Sequence, residues 1–467
     1  MRLIKFFFIF FSIASISAEC IAQTPGLPLR LTVEEARNMA VQNNINVRTA
    51  RVDVEYANKK VWETVATGLP QISAAANYQH QFTVPEVSFG SFLDPNLLPE
   101  GQLSRNDIIN AYVPAPSVPL GVRNNTVFDF TLSQLIFSGE YIVGLQAFKV
   151  LKRVSEKALV KTEQQIRESV SGSYYTILVI DENERVLNES LQSTQQTYNE
   201  LARMNEEGLN EETDVEQVKI SLTNLQTRIN TLRSQKELAF KLLKFQLGMD
   251  FTDELVLTDS LKGIIGEGNI QYLSSTGFDI NNSIDYQIIQ NQERVSELML
   301  KRQKSKLLPV ISGFYRHQEQ TNQPAFNFAV KDVAGISLTL PIVTSGQRMS
   351  TISQARLDLE KARLNTENVY KGLIMEYETV LTDYQTAFNN YSANLESMTL
   401  GKKIYDRTVI KYREGVSSSF EMVQNQSQYL MAEAAYYNSV LTLLSSKAKL
   451  DRILSEYNDQ NNTQKNK

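Results

Sequence analysis

Two matching proline-free stretches constrain this chain more than any other feature. The first runs from Gly139 to Gly208 and the second from Gly346 to Gly415. Each opens on Ser-Gly after an apolar run: Leu135-Ile136-Phe137-Ser138-Gly139, then Ile342-Val343-Thr344-Ser345-Gly346. Each closes on Glu-Gly before a polar turn, Glu207-Gly208 and Glu414-Gly415. The glycines stand 69 residues apart in both copies, and the copies are offset by 207. A polar segment of that length, without proline and with scattered apolar positions, spells one helix of roughly 100 Å at 1.5 Å per residue. No compact domain needs such a rod, and an internal repeat takes precedence over a domain count from length.

Composition narrows the class. The 467 residues are 42% apolar and 21% charged, which excludes both disorder and a bundle of membrane helices. A net charge of −5 without a concentrated basic patch speaks against nucleic acid as a partner. A single cysteine excludes an intramolecular disulfide. Residues 1–22 read as a signal peptide: Arg2 and Lys5 are basic, and Phe6 to Ala18 is apolar but too short to span as a helix. Cys20 and Ala22 form a small-x-small site, and cleavage after Ala22 leaves a mature chain without cysteine. Lipidation at Cys20 is the rival reading, disfavoured by Glu19 before it. No run of 18 apolar residues follows, so any membrane crossing falls to strands.

In order, Thr24 to Arg30 is a Pro/Gly lead, and Thr32-Val33-Glu34-Glu35 is a capping box for a helix from about Val33 to Thr67. Trp62, the sole tryptophan, reads as a packing residue near its end. Leu69-Pro70 stops that helix. A period of two then predicts a strand over about 71–84, with Ile72, Ala74, Ala76 and Tyr78 alternating with Ser73, Ala75, Asn77 and Gln79. Residues 85–125 hold six of the twelve prolines and read as a long loop. A second strand, about 126–137, sets Phe128, Phe130 and Leu132 opposite Asp129, Thr131 and Ser133. The long helix (about 140–205), the Gly208 turn and a return helix (about 212–247) complete the first repeat, 31–250. A glycine-broken connector, 251–280, leads to the second repeat, 281–456. It starts with a helix of about 283–306, ended by Leu308-Pro309. Strands at about 310–319 and 333–342, a long helix at about 348–413, the Gly415 turn and a return helix at about 418–454 follow. Residues 457–467 are a polar, disordered tail.

Four strands cannot close a membrane barrel, whose smallest form has about eight, and an open edge in lipid leaves backbone groups unsatisfied. Strands in a membrane therefore require several chains to share one barrel, with polar faces inward. The long helices carry narrow apolar seams, such as Val143, Phe148, Leu151, Val154 and Leu159, then Ile352, Ala355, Leu359 and Ala362. Such seams suit coiled-coil pairing with wet flanks, in the wall of a tunnel or in a solid fibre.

The duplicated plan, Leu-Pro before strands, Ser-Gly at strand-to-helix passages and Glu-Gly between long helices resemble the TolC family of outer-membrane efflux proteins over about Leu31 to Glu456. The resemblance implies a mostly α fold with membrane β. Three chains would share a 12-stranded outer-membrane barrel, continued by a helical tunnel through the periplasm. It implies a homotrimer in outer-membrane lipid, docked to a periplasmic adaptor and an inner-membrane pump, with no cofactor and no chemistry in the duct. Small toxic compounds or secreted proteins would be the cargo. It marks Pro70, Gly139, Pro309 and Gly346 as strand–helix passages and Gly208 and Gly415 as the turns of the tip. The family's acidic entrance rings lie six and nine residues past the second turn glycine, where this chain has Glu421 and Gln424. The family's basic residue two past that glycine is Ser417 here, and Asp214 is the first-repeat counterpart of Glu421. Three Glu421 carboxylates on one axis would repel each other and attract cations. A solvated acid at a helix start is the plainer account of both.

Catalysis finds no support in the residues: His80 and His317 fall on strands without metal spacing, and no nucleophile motif or phosphate loop is present. The carboxylates of the long helices read as solvated faces. The rival function is a periplasmic coiled-coil adaptor or scaffold of such a pump. That reading calls for many short strands around one hairpin rather than two hairpins and two strand pairs.

Overall fold

The structure is a computed structural model that describes residues 28–88, 90–102, 104–114, 117–267, 278–324, 327 and 329–454. The expected signal peptide with Cys20, the tail 457–467 and part of the connector lie outside these residues.

The chain begins with β1 (Leu29–Leu31), α1 (Val33–Asn43), α2 (Ile45–Ala66) and β2 (Gln71–His80). The proline-rich segment carries β3 (Glu86–Val87), β4 (Ser91–Leu93), α3 (Arg105–Asn110), β5 (Tyr112–Pro114) and β6 (Val118–Pro119). Then come β7 (Asn124–Ser138), α4 (Gly139–Glu206), α5 (Glu212–Leu247), β8 (Leu255–Leu257) and α6 (Leu261–Glu267). The second repeat is α7 (Ile284–Ser305), β9 (Val310–Gln320), β10 (Asp332–Thr339), α8 (Gln347–Arg413) and α9 (Ser419–Ile453).

Several expectations need correction. The first helix is two, because Asn44 leaves helical geometry (ψ 134°) and donates its side-chain amide to Gln246 O (2.8 Å) in the last turn of α5. β2 ends at His80 rather than at residue 84, ahead of Pro85. β10 ends at Thr339 rather than 342, because Pro341 cannot donate to a ladder and restricts Leu340 before it. The 85–125 loop is ordered by two short antiparallel pairs, β3 with β6 and β4 with β5, each too short to show a period. The Pro/Gly lead and the connector also hold a pair, β1 and β8, joined in parallel from Leu29↔Leu255 to Leu31↔Leu257.

The chain divides into two units, and α4 and α8 contribute residues to both. The sheet unit takes the described parts of 46–164, 277–381 and 451–467. Its sheet is antiparallel, in the order β10-β9-β7-β2, so both repeats' hairpins join through β7 and β9. The registers Ile72↔Leu132↔Tyr315↔Ala334 and Ala74↔Phe130↔His317↔Asp332 gather one face, which is apolar until it reaches the polar row of His317 and Asp332. Ser73↔Thr131↔Arg316↔Val333 and Ala75↔Asp129↔Gln318 mark the other, mostly polar face. Phe314 also lies on this face, its ring lying where a side chain at Gly335 would stand. The helices of this unit pack thinly: Val143 and Ala147 meet Leu298, and Leu300 meets Ile352 and Leu359. Trp62 is exposed in the single chain, contrary to its reading as a packing residue, as are Val52 and Tyr56 on the same helix.

The turn unit takes the described parts of 1–45, 165–276 and 382–450. Its larger core gathers Val170, Tyr174, Ile177, Leu243, Leu247, Val440 and Leu444. Tyr174 is fully buried, and its hydroxyl ties β1 to the chain just past β8 by donating to Leu31 O (2.9 Å) and accepting from Asp259 N (3.3 Å). A second core holds Leu187, Leu201, Leu225, Ile229, Met422 and Leu430, with Tyr405 stacked on Tyr429 (centroids 6.0 Å apart).

One group breaks the rule that helix carboxylates are solvated. Glu433 of α9 is 2% exposed, and neither of its oxygens has a hydrogen-bond partner. Burial pushes its carboxyl up to about 7; Arg228 and Lys402 pull it down and Glu189 adds to the rise. The folded chain thus holds a proton that the unfolded chain releases between about pH 4.5 and 7. Stability from this group is present below that window, is lost as pH rises through it, and stays lost above. A shift of this size is worth on the order of 3 kcal/mol per chain. Glu433→Gln should therefore melt higher than the wild type at pH 8 and match it at pH 4.5. A variant that melts lower at pH 8 would show the carboxylate to be satisfied.

Candidate functional site

The two helix–helix turns expected at the tip both lie in the turn unit. Gly208 sits at φ +76° and Gly415 at φ +74°, the left-handed geometry a helix end takes without a Cβ penalty. The closing bonds repeat as well. Leu209 N–H reaches Met204 O (2.8 Å) and Val416 N–H reaches Lys411 O (2.9 Å), the same six-residue closure. The glycine N–H groups bond Asn205 O (2.9 Å) and Tyr412 O (3.0 Å).

Beyond the glycines the repeats part. Asp214 is half-buried in the first turn of α5 and accepts a hydrogen bond from the Ser419 hydroxyl. Ser419, 2% exposed, also lies 3.3 Å from Gln217 Oε1, so α9 is pinned to α5 at its start. Tyr412 is pushed up to about 12 by burial, with a further contribution from the Asp214 charge. Glu421, the counterpart of Asp214, is exposed and bonded only within its own helix start. Ser417 Oγ donates to its carboxylate (2.7 Å), and its N–H donates to Ser418 Oγ (3.2 Å). Gln424 is exposed one turn further on. Between the turns a cavity of about 850 Å³ is lined by Leu201, Met204, Asp214, Tyr412, Arg413 and Ser419, among others. Arg413 Nε lies 3.8 Å from Glu200 across it. The sequence reading singled out Glu421, Gln424, Ser417 and Asp214 but missed Ser419, whose partner lies 205 residues away.

The passages into the sheet belong to the other unit. β2 and β9 start directly after Pro70 and Pro309. At the first passage side chains bond the carbonyls at the end of α2 and just past it: Gln71 Nε2 bonds Ala66 O (2.8 Å), Gln134 Nε2 bonds Gly68 O (2.6 Å), and Tyr141 bonds Val65 O (3.2 Å). The two Ser-Gly passages differ. β7 ends at Ser138 and α4 begins at Gly139 without a loop, and a side chain at Gly139 would strike Ser305 and Leu308. Gly346 lies instead at φ +82° after Ser345 at φ +46°, at the end of an irregular link that starts behind β10. His80 and His317 occupy matching places, each with Nδ1 against a side chain of the neighbouring strand: Asn124 (2.6 Å) and Asp332 (2.8 Å).

No family model and no curated protein matches the chain. Solved structures do. The outer-membrane protein VceC of Vibrio cholerae superposes with a TM-score of 0.67 at 14% identity, over 90% of this chain and 95% of its own. The Campylobacter jejuni CmeC outer-membrane channel gives 0.68 at 17%, over 90% and 85%. CusC, whose crystal structures address transmembrane channel formation, gives 0.71 at 15%, over 93% and 95%. This is the TolC-type channel fold. The TolC-type plan accounts for the duplication, the split sheet order and the two tip turns together.

The Asp214–Ser419 link makes a local prediction. In Asp214→Ala the buried Ser419 hydroxyl loses its charged acceptor, at a cost of about 1 kcal/mol or more. Amide exchange over 207–214 and 415–421 should speed several-fold, whereas Glu421→Ala should leave it unchanged at 207–214. Equal protection in the wild type and Asp214→Ala would remove the link's role.

Proposed function

We propose that this protein is an outer-membrane channel-tunnel. In this reading it is the exit duct through which an export assembly passes small molecules or proteins from the periplasmic side to the outside. The observation that carries the reading is the four-stranded sheet. One face is apolar and the other polar, and β2 and β10 are each paired on one side only. Ile72, Phe130, Leu132, Ile336 and Leu338 are all exposed in the single chain. A sheet with one apolar face needs lipid or a core to cover it, and no described helix is long and apolar enough to cross a membrane. Unpaired edges in lipid need further strands. Three copies would supply twelve strands, above the minimum of about eight. Exposed apolar side chains on α2, α5 and α8, such as Tyr56, Leu238, Leu242, Leu357 and Leu364, offer surface for chain-to-chain packing. The homotrimer, the lipid surroundings and the docking of an adaptor and an inner-membrane pump on the turn unit are parts of the same reading. An adaptor or scaffold would have no use for an amphipathic sheet with two open edges.

The entrance would be lined by Glu421, one helical turn from Gln424, held in rotamer by Ser417. Three such carboxylates near one axis would favour cations at neutral pH. Two outcomes are expected when the purified protein is placed in a planar bilayer. The wild type should give stable ohmic steps with cation preference. Glu421→Ala should keep the steps but lose several-fold in cation selectivity and in block by divalent or trivalent cations. Absence of conductance from inserted oligomer would count against the duct. Unchanged block and selectivity in the variant would count against Glu421 alone.

A further inference from the structure

The polar face of the four-stranded sheet carries charge in one place only. On β2 and β10 its residues are uncharged, among them Ser73, Asn77, Val333 and Ser337. Its two charges sit on the central strands, Asp129 on β7 and Arg316 on β9. The other charged residues of the four strands, Glu319 and Asp332, lie on the opposite face together with His80 and His317.

Asp129↔Gln318 and Thr131↔Arg316 are successive rows of the polar face, so Asp129 and Arg316 are diagonal neighbours. Such neighbours are within reach of a long side chain. They are nevertheless unpaired: among the described residues, neither side chain makes a hydrogen bond or an ion pair. The carboxylates of the opposite face are engaged, Asp332 by Tyr315 (2.7 Å) and His317 (2.8 Å), and Glu319 by Lys331 (2.9 Å). Arg316 is exposed and Asp129 half-buried. An aspartate carboxylate is bonded to Cβ, whereas a guanidinium stands further out on its own stem. A solute passing over this face therefore meets Arg316 before it meets Asp129.

We propose that Arg316 sets the charge preference of the barrel section. Three guanidinium groups, one from each chain, favour anionic and oppose cationic solutes there, and Asp129 offsets them in part. The proposal rests on the duct reading, in which three copies close the barrel and the polar face lines it. A charge without a partner acts most strongly where low-dielectric walls focus its field and no other charge lies beside it. Arg316 and Glu421 then act with opposite sign on cargo, as separate stages of one duct.

The test is the reversal potential of the full-length oligomer in a planar bilayer under a potassium chloride gradient near 0.1 M, where the screening length is about 10 Å. Arg316→Gln should raise cation over anion preference severalfold, Asp129→Asn should lower it, and Arg316→Lys should keep the wild-type value. The differences should shrink near 1 M salt, where screening shortens to about 3 Å. A second readout needs no current. Thr131→Cys places a thiol in register with Arg316, in a chain whose only other cysteine is Cys20. That thiol should react severalfold faster with an anionic than with a cationic methanethiosulfonate, and the ratio should fall when Arg316→Gln is added. Conductance with unchanged selectivity in Arg316→Gln would overturn the proposal and leave the duct standing, whatever the thiol ratio. An unchanged thiol ratio would overturn it as well. Absence of conductance from inserted oligomer would remove the duct and this proposal with it.

Discussion

An unpaired strand edge cannot face hydrocarbon, and in the membrane reading proposed above the rest of the plan follows from that. Each backbone N–H or C=O left open in lipid costs several kcal/mol, so in that reading a four-stranded sheet with β2 and β10 at its borders is complete only in company. The hairpin topology settles where everything else attaches. Because β2 and β7 are antiparallel, as are β9 and β10, each pair's entry and exit lie at the same end of the sheet. α2, α4, α7 and α8 therefore all join at that end, and the links 81–123 and 321–331 lie at the other. A sheet with helices at one end and connections at the other can cross a bilayer without drawing a helix through it. The long helices then need no apolar girth, which agrees with their narrow seams and largely polar faces.

Duplication made this plan, but the copies have since taken different physical work. At the first passage α4 follows β7 without a loop, and Ser305 and Leu308 leave no room for a side chain at Gly139. At the second, Pro341 cuts the strand short, and the chain needs two left-handed residues to enter α8. At the tip, Asp214 is drawn into the packing by Ser419, whereas Glu421 stays in solvent with Ser417. Equal spacing in sequence thus preserves backbone geometry, the turn closures above all, while equivalent acids diverge into one that fastens helices and one that stays exposed beside its own helix start.

What the sequence made legible follows the same division. Long elements were readable: the return helix 212–247 matches α5 end for end, and the α4 and α8 boundaries lie within a residue of expectation. Periods of 3.6 and 2 sustained over many residues leave little ambiguity. Short pairs such as β1 with β8 were not readable, because three residues carry no period and their partner lies more than 220 positions away. The kink at Asn44 depends on a carbonyl of α5, and the role of Ser419 on a carboxylate in the other repeat; neither has a local signature. Among the many glutamates of the helices, nothing in the sequence distinguishes Glu433, since its burial comes from three helices meeting.

That meeting of helices uses polar groups to fix its register. Gln426, 2% exposed, accepts from Ser221 Oγ (2.6 Å) and donates to Thr194 Oγ1 (2.7 Å), so one side chain ties α9 to α5 and to α4. A slip of any helix by one residue would leave these groups unpaired in the core, at a penalty larger than the bonds themselves contribute. Leucine seams alone tolerate such slips, since one aliphatic contact replaces another. Glu433, seven residues on, occupies the same face of α9 without the partners Gln426 has. A polar group in that position does not specify register; it destabilises the bundle whenever it is ionised and empty-handed. A proton relieves it, and whether that proton is bound is set by the solution rather than by the fold. The turn unit therefore contains one polar group that locks its geometry and, two turns away, one that makes its stability depend on pH.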